Sequence, residues 1–404
     1  MRKIIIPAIL ILILAFGSAF PGLGAAAQDT RPGVVRVPVR VFEGNRFVDG
    51  LKMADFEVLE NGLARPIRNF YAVDRDTVLR PEGDTGFLPF VGRRFTLMFQ
   101  LFEYQPKLAE AIRFVVEKEL RPADTLEIQT PMKNYQLPEQ VLAAEPRRAI
   151  ADRLIEIVKT DIAAGGMAYN SLLTEMKKLV RTIGGADSMS TLETDNDTND
   201  FTPEMLMPRY RTIIQNMDNL RRIDTEKFVQ FAQALKKKRG RKVILYFYQR
   251  EFRPEIDPQV LNQMFSLNQD NNTILGDLQE LFQTTRVNFN MDIPRMKNAF
   301  ADSGAEFSLL FLNKTPERVA RIIMREQSED IFRALGDIAE ATGGMVDTSQ
   351  NPATGVQSIL NSDKRYYLLD YDAGPSQPAG AFNTISLRIK GKDYKILHRA
   401  GYLN

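Results

Sequence analysis

The sequence predicts an α/β protein: a mostly parallel sheet flanked by helices, with a small β-sandwich-like module before it and a β hairpin or extension after it. Three observations predict this. Phe95–Phe102, Val243–Tyr248 and Phe307–Leu312 are nearly continuous apolar runs, as strands buried on both faces are. Between them stand apolar stripes at helical spacing. The flanks, 33–74 and 363–404, instead alternate apolar and polar residues with a period of two.

A length of 404 residues suits two or three domains, and 44% hydrophobic with 26% charged residues suits an ordinary globular core. Arg2 and Lys3, the apolar run Ile4–Phe16 and the small residues Ala25-Ala26-Ala27 follow the pattern of a secretory signal peptide over 1–27. The apolar run is shorter than the ~20 residues a spanning helix needs, and Pro7 and Pro21 interrupt the segment, so no stable transmembrane anchor is expected after cleavage. An exported protein, periplasmic or secreted, is the expectation. Residues 1–27 carry two basic residues and no acids, so the 53 basic residues fall to 51 in the mature chain, level with its 51 acids. A chain with no net charge has no long-range pull on nucleic acid.

The elements follow in order. Val35, Val37, Val39 and Val41 present one apolar face, Phe56 and Val58 begin another strand closed by the Asn61-Gly62 turn, and Ile67, Phe70 and Tyr71 start the next. Residues 75–92, rich in Pro, Gly and Asp, read as a linker. An α/β domain is expected over 93–362. Helical stripes there are Leu108–Leu120, Ile150–Ile162, Leu173–Ile183 and Ile331–Ala339, the last closed by Gly343-Gly344. Alternating strands and amphipathic helices imply βαβ units. Residues 184–208 read as an exposed insertion. Its acids Asp187, Glu193, Asp195, Asp197 and Asp200 lack the glycine and terminal acid of a calcium loop. Beyond Lys364, Tyr366–Leu369, Ile385–Ile389 and Tyr394–His398 return to strand patterning.

Several chemistries are closed to this chain. It has no cysteine, hence no disulfide, thiolate metal site or thiol nucleophile, and its one histidine is His398. There is no P-loop, no G-x-G-x-x-G, no G-x-S-x-G elbow and no zinc spacing. The basic run Lys236–Lys242 suits a helix C-terminus and a solvated face; contact with an acidic polymer or lipid headgroup is its other reading.

Three stretches resemble the secreted bacterial proteins with a von Willebrand factor type A-related domain. Val35–Val41 with Val48-Asp49-Gly50-Leu51, Asp55–Val58, Glu60-Asn61-Gly62 and Ile67–Phe70 look like that family's N-terminal β module. Gly240–Phe247 is similar to the strand before the third metal-binding loop, and Ala339–Gly344, Tyr366–Tyr371 and His398–Tyr402 complete the order. The resemblance implies a von Willebrand A-like, Rossmann-like sheet. In that family a D-x-S-x-S loop, a Thr and an Asp hold a divalent cation, which captures a partner's carboxylate.

Aligned on the resemblance, those positions carry Gln100, Phe102 and Tyr104, then Met167 in a loop Gly165-Gly166-Met167, then Gln249. No anionic ligand remains for a hard cation, so no metal and no cofactor are expected. Phe102, Tyr104, Met167, Tyr169, Tyr248 and Gln249, with Gln100, are placed at the carboxyl edge of the sheet, the usual ligand crevice of such folds. They would form either a protein-binding surface or filler of the vacated pocket. The expected function is a non-enzymatic binding or scaffolding module with protein partners in the cell envelope or extracellular space. The alternatives are a carboxylate-dependent hydrolase using Glu103 and Glu251, and a structural subunit of an envelope assembly.

Overall fold

The computed structural model describes residues 33–83, 89–183, 203–267, 291–319, 322–375 and 377–404, with a few more between 269 and 279. The signal segment 1–27 and the acids of 184–202 lie outside the described residues.

The chain opens with β1 (Val34–Glu43), β2 (Arg46–Phe47), β3 (Phe56–Glu60), β4 (Leu63–Arg65), β5 (Ile67–Asp74) and β6 (Thr77–Gly83). Next come β7 (Arg93–Gln100), α1 (Leu108–Arg113), β8 (Thr125–Gln129), β9 (Asn134–Leu137), α2 (Glu139–Ala144), α3 (Arg147–Ile183), α4 (Pro203–Arg221) and α5 (Thr225–Lys236). They are followed by β10 (Arg241–Gln249), β11 (Phe252–Ile256), α6 (Pro258–Leu267), α7 (Ile293–Ser303), β12 (Ala305–Leu312), β13 (Ile322–Glu326), α8 (Glu329–Ala341), β14 (Val346–Asp347) and α9 (Pro352–Ser362). The chain closes with β15 (Arg365–Asp372), β16 (Phe382–Ile389), β17 (Lys395–Leu397) and β18 (Gly401–Leu403).

The fold is mixed α/β with several sheets, one of them mostly parallel. That sheet runs β14-β12-β10-β7-β8-β9, and only the β8–β9 pair is antiparallel. Counted along the chain, its first and fourth strands, β7 and β10, are neighbours, and the sheet grows outward from them in both directions. This is a doubly wound order, and its switch point lies between β7 and β10. The apolar runs read from the sequence are these central strands: every residue of β12 is buried. Phe99 and Phe247 stack across the β7–β10 pair with ring centroids 4.7 Å apart. One face of the sheet packs on residues of α1, α3 and α9, the other on α5, α7 and α8. The first stripe ends in a π-helical turn, Phe114–Glu119, which turns Val115 and Val116 into the core together.

Four readings differ from the sequence expectation. The module at 33–74 and the extension at 363–404 are one β-sandwich. β15 sits between β1 and β5, and β16 pairs with β3. Strand patterning gives the face each residue takes but not the distant partner of each edge. Within the linker 75–92, Thr77–Gly83 forms an edge strand on β5 despite Pro81; an edge strand tolerates a residue without an N–H. The stripes at 150–162 and 173–183 belong to a single helix, α3, which runs through Gly165-Gly166 without breaking. Pro203–Pro208, assigned to the insertion, is the first turns of α4.

A third core lies beyond the carboxyl edge of the central sheet. The second half of α3, α4, α6 and the antiparallel ribbon β11–β13 enclose Tyr169, Met176, Val180, Tyr210, Ile214 and Met217. This cap covers the end of the sheet where a ligand crevice is expected.

Candidate functional site

Gln100 is half-buried at the end of β7, and Phe102 follows two residues on. Helix α3 passes directly over them. A Cβ on Gly166 would overlap the Phe102 carbonyl, so only glycine permits this approach. One turn later Asn170 Nδ2 donates to Phe102 O at 3.0 Å. Tyr169, on the same turn, stacks on Phe102 with centroids 4.0 Å apart and planes 6° from parallel. Gln249 closes β10 on the other side of the switch point and is 3% exposed. These residues meet in a cleft of ≈ 80 Å³, lined by Phe102, Tyr169, Leu173, Gln249, Lys314 and Met324 among others. The cations around it are paired: Lys177 with Glu317, Lys314 with Glu103, and Arg250 with Glu326 at 3.2 Å.

The structure therefore brings together Phe102, Tyr169 and Gln249, with Gln100 at the adjoining strand end, and separates the other three candidates. Tyr104 packs against the core of α1 and α3, where burial and nearby Glu156 push its hydroxyl up. Met167 lies on α3 rather than in a loop and is 67% exposed, facing a separate open groove with Ala163, Asn170 and Arg209. Helical geometry accounts for this: Met167 and Tyr169 are two residues apart and point to different sides. Tyr248 faces the opposite side of the sheet from Phe247, as strand alternation requires, and is buried against Phe311.

Beneath the cleft lies a buried ionic network, most of which the sequence reading did not single out. Arg221, from the end of α4, binds the carboxylate of Glu251 and the carbonyl of Gln327, and reaches Asp218 at 3.4 Å. Arg253 of β11 pairs with Glu255 at 3.1 Å and with Asp218 at 3.8 Å. Burial raises the pKa of Glu251, while Arg221 and the Tyr248 hydroxyl pull it the other way. Burial also lifts the hydroxyls of Tyr169 and Tyr248 far above their usual range, with Glu251 adding to the effect. Both phenols stay protonated. One signal did exist: Tyr210, Ile213, Ile214, Met217 and Arg221 fall at helical spacing, so a charge occupies a position in an apolar stripe.

These residues do not fit a hard divalent cation, which requires several oxygens and at least one anion. Gln100 and Gln249 offer neutral amides, and Gln249 Oε1 is buried without a hydrogen-bond partner. Phe102 and Met167 offer no oxygen. The acids at the cleft are taken: Glu251 by Arg221, Glu317 by Lys177 and the adjoining Glu103 by Lys314. Among the described residues no group of three or more His, Asp or Glu could hold a metal ion.

The remaining motifs have structural neighbours. In the basic run, Lys236 pairs with Asp302 at 2.8 Å and Lys238 with Glu127 at 3.3 Å. Arg241 is buried on Glu306 and Asp363, and Lys242 donates to Ser303 O. His398 Nδ1 lies 2.8 Å from Arg399 O. Glu103 is exposed on Lys314, and Glu251 is 4% exposed. Among the described residues no helix is long and apolar enough to cross a membrane.

No family model matches the chain, and no curated protein matches it. Among solved structures, the human COPII-coat protein Sec24c is similar with a TM-score of 0.30 and 9% identity, over 79% of this chain and 44% of that one. The chain thus spans less than half the length of Sec24c. An aerotolerance-related membrane protein from Bacteroides fragilis NCTC 9343, carrying multiple mutations to serines, is similar with a TM-score of 0.24 and 9% identity, over 67% of this chain and 98% of that one. Neither likeness is close enough to assign a fold family or a function.

Proposed function

We propose that the chain is an exported, non-enzymatic binding or scaffolding protein whose α/β domain is von Willebrand A-like and has lost its cation site. The doubly wound strand order, with the third strand antiparallel, supports the fold reading. The export reading rests on the signal pattern at 1–27. One observation carries the functional reading. At the switch point, where a cation-dependent domain would present oxygen ligands, this chain presents an aromatic stack, Phe102 on Tyr169, beside Gln249. Phe102 is the half-buried member of that stack, backed by the buried Tyr169 and Gln249, so a protein partner would make direct contact through the Phe102 ring.

The hydrolase alternative gains no support from the site. Glu251 lines the cleft but is held by Arg221, and Glu103 is paired with Lys314 on the surface, so neither is a free acid or base. The structural-subunit alternative differs from binding mainly in permanence.

The test is capture of envelope proteins by the mature chain, residues 28–404, in EDTA. We expect a specific partner to be retained in EDTA, lost on Phe102→Ala, and unaffected by Met167→Ala, which alters a different groove. Capture that EDTA abolishes and Mg²⁺ restores would contradict the proposal.

A further inference from the structure

His398 lies where the sandwich meets the central sheet. Its segment packs on the end of α8 at contact distance: Ala400 N donates to Ala341 O at 2.7 Å. A Cβ on Gly343 would stand 2.8–2.9 Å from the His398 backbone, and Gly343 has φ +73°, so glycine is required there twice over. His398 borders a space of ≈ 20 Å³, room for about one water molecule, together with Arg40, Arg241, Glu306, Gly343 and Arg399. These come from separate parts of the fold: β1, β10, β12, the turn after α8, and the C-terminal segment itself.

The tautomer of the ring follows from its partner. Nδ1 faces the Arg399 carbonyl, which has no proton to give, so Nδ1 carries the hydrogen and Nε2 is the position open to a second one. The charges around the space are already committed. Arg40 and Arg241 share Glu306, at 2.6 Å each, and both also reach Asp363. Arg399 donates to Arg36 O, and Arg36 pairs with Asp370. Asp302 is taken by Lys236 and by the amide of Leu403. Lys242 approaches from the side of Gly304 and donates to Ser303 O. Three guanidiniums and one carboxylate therefore line the space, and every acid in reach already has a cation.

We propose that His398 is an acid-sensitive latch: a second proton on its ring adds a cation beside Arg399, at a space whose one carboxylate, Glu306, is already held by two guanidiniums, and loosens the C-terminal segment from the end of α8. Burial, and then the charge of Arg399 working against a favourable backbone hydrogen bond, hold the imidazole below its ordinary 6.5. The sign follows. The neutral ring belongs to the closed state, so the latch is intact above pH 6.5 and weakens as the pH falls toward the folded-state value. Opening takes up one proton in that window, so the opening equilibrium rises about tenfold per pH unit.

His398 is the chain's single histidine, so its imidazole signals in an NMR titration of the mature protein are unambiguous. The latch predicts a midpoint below 6.5. It also predicts that hydrogen-exchange protection at the Ala400 amide, corrected for intrinsic rates, falls between pH 6.5 and that midpoint and levels off below it. In His398→Gln that acid-linked step disappears. If the variant fails to fold, the titration and exchange of the unaltered protein still decide. A midpoint at or above 6.5, or protection that ignores ring protonation, overturns the proposal.

Discussion

Gly166 shows how a local preference yields to a tertiary contact. It lies inside a helix, where alanine is favoured over glycine by about 1 kcal/mol. Propensity alone therefore predicts that Gly166→Ala stabilises the protein. The close passage of α3 over Phe102 reverses the sign, since the added methyl meets backbone rather than a movable side chain, and overpacking of this kind costs about 1–3 kcal/mol. We expect a lower urea midpoint for Gly166→Ala with an unchanged slope; a higher midpoint would mean that the helix yields without cost. The same contact explains why the sequence reading put Met167 in a loop. Two adjacent glycines look like a chain break, and nothing local distinguishes a turn from a helix that needs to come close. Phe102 and Gln249 were legible as neighbours because strand ends converge at a switch point, whereas Tyr169 reaches them from within helix α3. Tyr104 and Met167 were not excluded, because side-chain direction depends on the helix beneath them.

At the scale of elements, the ribbon β11–β13 and helix α4 are held over the sheet by the Arg221–Glu251 pair, both partners being almost fully buried. Removing one partner strands a buried charge, which costs about 3–5 kcal/mol, whereas replacing both with apolar groups of similar size costs little or nothing. Arg221→Met should therefore destabilise the protein by that amount, and Arg221→Met with Glu251→Leu should recover part of it, since Asp218 and the Gln327 carbonyl still lose Arg221. Thermal unfolding of the two variants checks this. Equal losses in both would mean that the pair is not a closed unit. The strands and amphipathic helices of the central sheet were legible because period and length are local signals. The cap was not, because its core is assembled from the second half of α3, α4, α6 and a two-stranded ribbon far apart along the chain.

For the whole molecule, the two chain ends close one sandwich around Val37, Val39, Phe70, Tyr367 and Leu369. The α/β part is thus inserted between strands that pair with one another, which a reading along the sequence breaks into separate modules. The same architecture leaves the candidate site at the far edge of the central sheet. Amides, aromatics and the Arg221–Glu251 pair stand at the switch point of the central sheet. A ligand that binds only the folded state stabilises it by about 2.7 kcal/mol at a hundredfold excess over its dissociation constant. The direct measurement is the thermal midpoint of the mature chain in EDTA and in excess Mg²⁺, with an uncoordinating salt matched for ionic strength. Identical midpoints are expected in Mg²⁺ and in the matched salt. A rise specific to Mg²⁺ that saturates with concentration, and that Gln100→Ala or Gln249→Ala removes, would contradict this expectation.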